Sequence, residues 1–395
     1  MKKYLLLAIF AAIVFSCSDK PDMAKEIMLS IQLILPEGDD VVAPPSYKIA
    51  FKNEYENYYF NITAGPDGTA TVRLRPGLYD IIVSARTLTK IYSGGSEKDV
   101  IVADENHRNI DIDIVETGAL VFKELYYCGS PPPGGGIYFR DQFYEIYNNS
   151  EEMLYVDGLC IAIIYSNLAS ANQPNWNIEN QGNYVFLYQA WQLPGNGTEY
   201  PLEPGESIII CQWATNHITS ISGNPNSLDL SSGEFEAIIP GVTNAIMTDG
   251  PPINMKLVFN SQSNMLQWLT TVNGAAFVIF FPDATVNFST PITQVGASAR
   301  GVPVPVKMIV DAVECVTNAA SVQQKRVPLK LDAGAIYVSG QYVKESVARK
   351  IEETTADGRH IYQDTNNSTE DFEVQKPPVI RRNGAKKPAW NTWGN

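Results

Sequence analysis

Histidine is scarce in this chain. Three residues, His107, His217 and His360, lie far apart and form no HExxH run. G-x-S-x-G elbows, P-loops and dinucleotide fingerprints are missing too, so no motif-borne catalytic or cofactor chemistry is expected. Charged residues make up only 18%, and 43 acids outnumber 29 bases for a formal charge of −14. An acidic body repels phosphate backbones, which argues against nucleic acid as a partner. Five cysteines show no CxxC spacing, so neither a zinc nor a redox site is expected. Beyond residue 15 no apolar run is long enough to span a bilayer as a helix. What is plentiful is tyrosine, glycine and proline (20, 28 and 25), a composition that suits a folded, extracytoplasmic all-β protein rather than a disordered one.

The N-terminus has the layout of a secretory leader. Lys2 and Lys3 precede an apolar stretch from Tyr4 to Phe15, too short for a membrane span. It ends in Val14-Phe15-Ser16-Cys17, which resembles the lipobox of bacterial lipoproteins, although small residues are usual where Phe15 stands. That resemblance implies cleavage after residue 16, lipidation of Cys17, and a tether over 17–23. Acyl chains bury enough methylenes to hold a protein at a membrane without a helix, at about 0.8 kcal/mol per CH₂. Ser18-Asp19-Lys20, with its single Asp, resembles the short acidic export signal of Bacteroidetes surface lipoproteins. The expected location is therefore the outer membrane, on its outer face, with the periplasmic face as the alternative.

Residues 24–116 read as one β unit. Ile27 to Leu35, Ala70 to Leu74, Tyr79 to Ala85 and Ile110 to Ile114 alternate apolar and polar residues with period two. The run Gly65-Pro-Asp67-Gly68-Thr-Ala-Thr-Val72-Arg-Leu-Arg-Pro76-Gly77-Leu-Tyr79 resembles carboxypeptidase-regulatory, prealbumin-like β-sandwiches, whose Asp marks a turn. Residues 117–380 resemble an expanded lamin-tail domain, an immunoglobulin-like sandwich. Five segments in order carry that likeness: Gly118 to Glu124, Phe143 to Asn148, Val156-Asp157-Gly158, Leu202 to Ile210, and Ser346-Val-Ala-Arg349 followed by Asp364-Thr-Asn-Asn367 and Asp371-Phe372. The region is about twice the family's length, and the surplus is assigned to insertions at about 167–197 and 223–300. The whole arrangement looks like a Bacteroidetes surface-lipoprotein family of undefined function. The expected fold class is all-β, with two β-sandwich domains and a basic tail over 381–395.

Candidate functional residues follow from composition. Trp176, Tyr184, Trp191 and Trp213 lie among asparagines and glutamines in 172–213, and aromatic faces beside amides are what a saccharide site requires. Trp176 and Trp191, flanking the alternating Tyr184–Tyr188, are the better candidates for exposed platforms, although a strand hairpin that packs its aromatics inward has the same composition and is the preferred reading for any one of these residues. Arg381, Arg382, Lys386 and Lys387, with Trp390 and Trp393, form the expected partner-binding tail, although the same charges would also solvate an unstructured terminus. Asp141, Glu145 and Asp371 are weighed as calcium ligands against a structural role at strand ends, and the structural role is preferred because no EF-hand-like run is present. No metal or cofactor is therefore expected. Cys128, Cys160, Cys211 and Cys315 permit two disulfides or buried free thiols. The expected function is a non-enzymatic, lipid-anchored binding or accessory protein that helps capture a nutrient or partner, such as an outer-membrane receptor or surface glycan. The alternative is a structural or adhesion module.

Overall fold

A computed structural model describes residues 25–393, except 37–42, 54–57, 87–89, 117, 243–245, 263–265 and 269. The expected leader and tether, with the expected lipidation site Cys17, lie outside the described residues. The protein is all-β: the described residues hold strands, a few single-turn 3₁₀ segments and one four-residue α-helix, Ser368–Asp371. No described helix is long and apolar enough to cross a membrane.

The N-terminal unit is a seven-stranded sheet. In spatial order its strands are Tyr58–Ala64, Tyr47–Asn53, Gly77–Arg86, Lys90–Ile101, His107–Glu116, Ile27–Ile34 and Thr69–Leu74. Ile27–Ile34 runs parallel to His107–Glu116, and every other pairing is antiparallel. All seven strands feed one core, including Leu29, Ile31, Tyr47, Phe51, Val72, Tyr79, Ile81, Tyr92 and Ile112, so the sheet must curl around it. Period-two alternation explains why one face is apolar. The Asp67 turn works as expected: its carboxylate accepts Thr69 N at 3.2 Å and Thr69 Oγ1 at 2.7 Å. Gly68 takes φ +71°, with a Cβ position only 3.1 Å from Leu33. Tyr79 donates its hydroxyl to Arg75 O at 2.9 Å, which locks the Pro76-Gly77 corner.

The second unit contains two large sheets. Sheet I is ordered Ile292–Thr293, Arg300–Pro305, Tyr184–Gln192, Cys160–Ile164, Ala276–Phe280 and Ile309–Glu314, with Lys256–Asn260 also paired to Tyr184–Gln192. Sheet II is ordered Ile253–Asn254, Phe235–Glu236, Ser207–Cys211, Phe143–Asn148, Leu120–Tyr126, Ser346–Arg349 and Phe372–Gln375. Phe122, Phe143, Ile146, Ile208 and Ile210 of sheet II pack against Ile161, Ile163, Trp191, Phe277 and Ile279 of sheet I.

The expected insertions are not appendages. Residues 167–197 contain Tyr184–Gln192, a central strand of sheet I. Residues 223–300 supply its neighbour-but-one, Ala276–Phe280, and two strands of sheet II. Sheet I is buried on both faces. Its outer face forms a second core from Cys160, Ala162, Val185, Leu187, Val278, Val302 and Val304, roofed by Val286, Val306 and Val327. A strand covered on both sides has no wet face, so its sequence marks it as a strand without showing how central it stands in the sheet.

Candidate ligand cleft and the docked C-terminal segment

A cleft of about 1080 Å³ opens where the N-terminal sheet meets the second unit. Asp113 and Ile114 reach it from the end of His107–Glu116, and Lys330 faces Asp113 at 3.7 Å. One wall is apolar: Pro303, Pro305, Val306 and Met308 lead into Ile309–Ala312, the edge strand of sheet I. Three aromatics also line it. Tyr155 and Phe281 are exposed, each by 38%, and Tyr184 is half-buried at the start of its strand. Polar groups sit at the rim: Asn183, Asp283, Thr285, Lys307 and Asn366. The side-chain and backbone hydrogen bonds of Thr285 hold the Asp283 carboxyl below its ordinary range, so it is an anion there. The edge of sheet I is capped by carboxylates, because Asp311 accepts Ala312 N and Asp332 accepts Glu314 N, each at 2.8 Å. The cleft thus combines apolar and aromatic walls with a few convergent polar groups, the usual make-up of a small-ligand site.

Of the aromatics expected to face a saccharide, only Tyr184 reaches this cleft. The structure corrects the other three. Trp176 is buried, stacked on Phe186 at 4.8 Å with 11° between planes, and Gly301 leaves room for its ring. Trp191 is fully buried between the sheets. Trp213 packs with Ile238 and Met247 and donates Nε1–H to Thr248 O at 3.1 Å. Tyr155 and Phe281 were missed by sequence reasoning; Tyr155 ends the two-residue strand Leu154–Tyr155 and Phe281 directly follows Ala276–Phe280, in segments with no amide-rich signal.

The basic tail docks on its own domain instead of waiting for an outside partner. Arg382 grips Glu124 with two donors, at 3.0 and 3.2 Å. Arg381 pairs with Glu234 and donates its backbone N–H to Glu145 at 3.1 Å. Lys386 lies in a parallel bridge beside Glu206, its backbone bonded to Gly205 and Ser207, while its side chain is solvent-exposed. Lys387 donates to Trp393 O at 3.4 Å. Trp390 packs on Tyr200 and Phe235 and donates to Pro201 O at 2.7 Å, and Trp393 donates to Gly233 O at 2.9 Å. The physical reason is charge: Glu124, Glu145 and Glu234 are fully buried, and an unpaired buried carboxylate is costly. Lys123 supplies Glu145 with a further counter-charge at 3.0 Å.

The three acids weighed as calcium ligands fall in three separate networks. Glu145 is the Lys123 partner just described. Asp141 accepts from the hydroxyls of Tyr126, Ser130 and Ser227. Asp371 joins Asp311 and Asp364 around Arg349, whose guanidinium stands 2.6 Å from Asp311, 3.1 Å from Asp364 and 3.6 Å from Asp371. The Ser346–Arg349 and Asp364–Phe372 segments are therefore two halves of one buried ion network, with arginine as its cation. Asp311 also accepts the N–H of Phe122, which ties sheet I to sheet II. Among the described residues no group of three or more His, Cys, Asp or Glu is arranged to hold a metal. Cys128, Cys160, Cys211 and Cys315 are free, buried thiols. Burial pushes all four thiols up, Cys160 to about 12.

The family profile of DUF4876, a protein of unknown function, matches residues 203–379. A crystal structure of a DUF4876 family protein from Bacteroides thetaiotaomicron is 36% identical, with a TM-score of 0.65 over 92% of this chain and 99% of that one. A candidate adhesin from Bacteroides ovatus (7% identity, TM-score 0.20, 78% of this chain and 90% of that one) resembles the chain too weakly to carry any argument. None of the curated proteins matches.

Proposed function

The chain belongs to the DUF4876 family, whose function is undefined, and from that premise we propose that it is a lipid-anchored binding protein of the cell envelope. In this reading Cys17 carries the anchor, and the protein assists capture of a nutrient or partner at the outer membrane. The cleft at the junction of the two units supports it: Tyr155, Tyr184 and Phe281 offer ring faces, while Asn183, Asp283 and Asn366 offer hydrogen-bonding edges. Rings that stack on CH faces, ringed by groups that bond hydroxyls, suit a saccharide. The work is binding rather than turnover.

The test is glycan-array binding by the purified chain. Binding is expected in the wild type and should weaken at least about tenfold in Tyr155→Ala and in Phe281→Ala, with unchanged circular dichroism. Absence of any bound glycan, or binding indifferent to both substitutions, removes the saccharide reading. The anchor is checked separately, since palmitate labelling should vanish in Cys17→Ala. A structural or adhesion module is the second reading, and the solvent-exposed aliphatic side chains of Ile137, Ile218, Ile221 and Val242 favour it.

A further inference from the structure

The second unit has two poles. Leu120 pairs with Asn148 at the pole near the N-terminal sheet, whereas Phe143 pairs with Tyr126 and Cys211 at the opposite pole. At that distal pole three loops meet. Asn226 donates to Pro131 O at 2.8 Å, Tyr138 OH bonds His217 Nδ1 at 2.7 Å, and Trp213 sets its ring edge on His217 at 5.4 Å while packing on Ile238. The loops are thus pinned from beneath, yet their tips point apolar side chains at water. Ile221 is 82% exposed and Ile137 66%, with Ile218 and Val242 exposed beside them. Aliphatic side chains held this far out on three adjoining loops form a patch that a monomer ordinarily avoids.

Charge sets this pole apart as well. Residues 131–138, 213–228 and 238–242 contain no Asp, Glu, Lys or Arg, in a chain with 72 such residues. Around this neutral centre stand two bases and two acids: Arg140 and Asp229 both act on His217, Lys344 donates to Ser227 O at 3.1 Å, and Asp249 follows Thr248, whose carbonyl accepts from Trp213; the whole chain has 29 bases to 43 acids. Arg140 has no ion-pair or hydrogen-bond partner among the described residues, and it sits close enough to influence Tyr138 and His217. An apolar centre inside a polar rim is the anatomy of a protein interface. Two copies at −14 repel over most of their surface, but a neutral centre with a rim of both signs complements itself when turned through a two-fold axis. We propose that this distal pole is a self-association surface, through which a second copy of the chain docks pole to pole. In such a dimer Arg140 of one copy meets a rim carboxylate of the other, and the N-terminal units face away from each other.

Sedimentation equilibrium on the full chain carrying Cys17→Ser tests this across a concentration range of about 1–200 µM, a span that brackets weak homodimers. A reversible monomer–dimer equilibrium is expected. Ile137→Asp with Ile221→Asp should raise the dissociation constant at least about tenfold, and Arg140→Glu should raise it too, by tilting the rim toward one sign. Ile137 and Ile221 are exposed, so the unfolding midpoint of that double variant should not move, which separates lost docking from lost folding. A chain that stays monomeric throughout overturns the proposal, as does a dimer indifferent to these substitutions. A monomer that pellets with phosphatidylcholine vesicles, and loses this in the double variant, overturns it in favour of a lipid-facing pole.

Discussion

Replacing Arg349 by methionine should cost the second unit about 3–5 kcal/mol, the range for removing one partner of a buried ion pair. The side chain is 1% exposed and serves three carboxylates, each at most 4% exposed. It also donates to Phe122 O at 2.8 Å and Gln363 O at 2.9 Å, and lies 4.6 Å over the Phe372 ring. Methionine keeps much of the volume over Phe372, so the loss isolates the charge. Burial raises the Asp311 carboxyl, and Arg349 pulls it back down. Without the guanidinium that carboxyl climbs further. A carboxyl raised in the folded state stabilises the fold at low pH, and this contribution is lost as pH rises through its folded-state value. The gap between variant and wild type should therefore be narrowest near pH 5 and widest near pH 8. Urea unfolding followed by tryptophan fluorescence measures it, because all six tryptophans lie in the second unit. A loss below about 1 kcal/mol, or one that does not grow with pH, refutes the assignment of Arg349 as the cation of this network.

Two other outcomes follow from buried groups. Burial holds His217 down at about 4, against an ordinary value of 6.5, so its contribution is complete above pH 6.5 and is lost as pH falls toward 4. By linkage that loss approaches about 3 kcal/mol, and His217→Gln should flatten this part of the stability–pH curve measured by urea titration. For the tail, Trp390→Ala should cost about 2 kcal/mol in thermal or urea unfolding, since the half-buried ring loses Tyr200, Phe235 and its bond to Pro201. Lys386→Ala, whose side chain is exposed, should change stability by less than about 0.5 kcal/mol.

The N-terminal sheet was legible because each strand has one wet and one dry face, as in Ala70–Leu74 and Tyr79–Ala85. The Asp67 turn and the Tyr79 corner were readable for the same local reason. In the second unit the order of motifs was visible but their chemistry was not. Arg349 and its aspartates stand 15 to 38 residues apart, and nothing local says that a guanidinium fills the place a metal could take. Tyr184–Tyr188 was legible as a strand, but its central place in sheet I was not, because a strand buried on both faces carries no local sign of the neighbours it pairs with. Composition left the tryptophans open between platform and core, because abundance of aromatics and amides does not say which way a ring faces, whereas the stacking of Trp176 on Phe186 is decided by strand pairing. The tail's cations looked unengaged because their carboxylates lie 147 to 258 residues upstream.

The way the C-terminal segment lies across sheet II bears on the order in which the molecule can be completed. A growing chain that has emerged through Phe372–Gln375 already owns every strand of that sheet, yet Glu124 and Glu234 still lack the guanidinium groups that later neutralise them. Only the arrival of residues 381–391 closes the layer. The last residues of the chain thus supply the cations that sheet II's buried carboxylates need, so the sheet's strands and its charge balance are completed by different stretches of sequence.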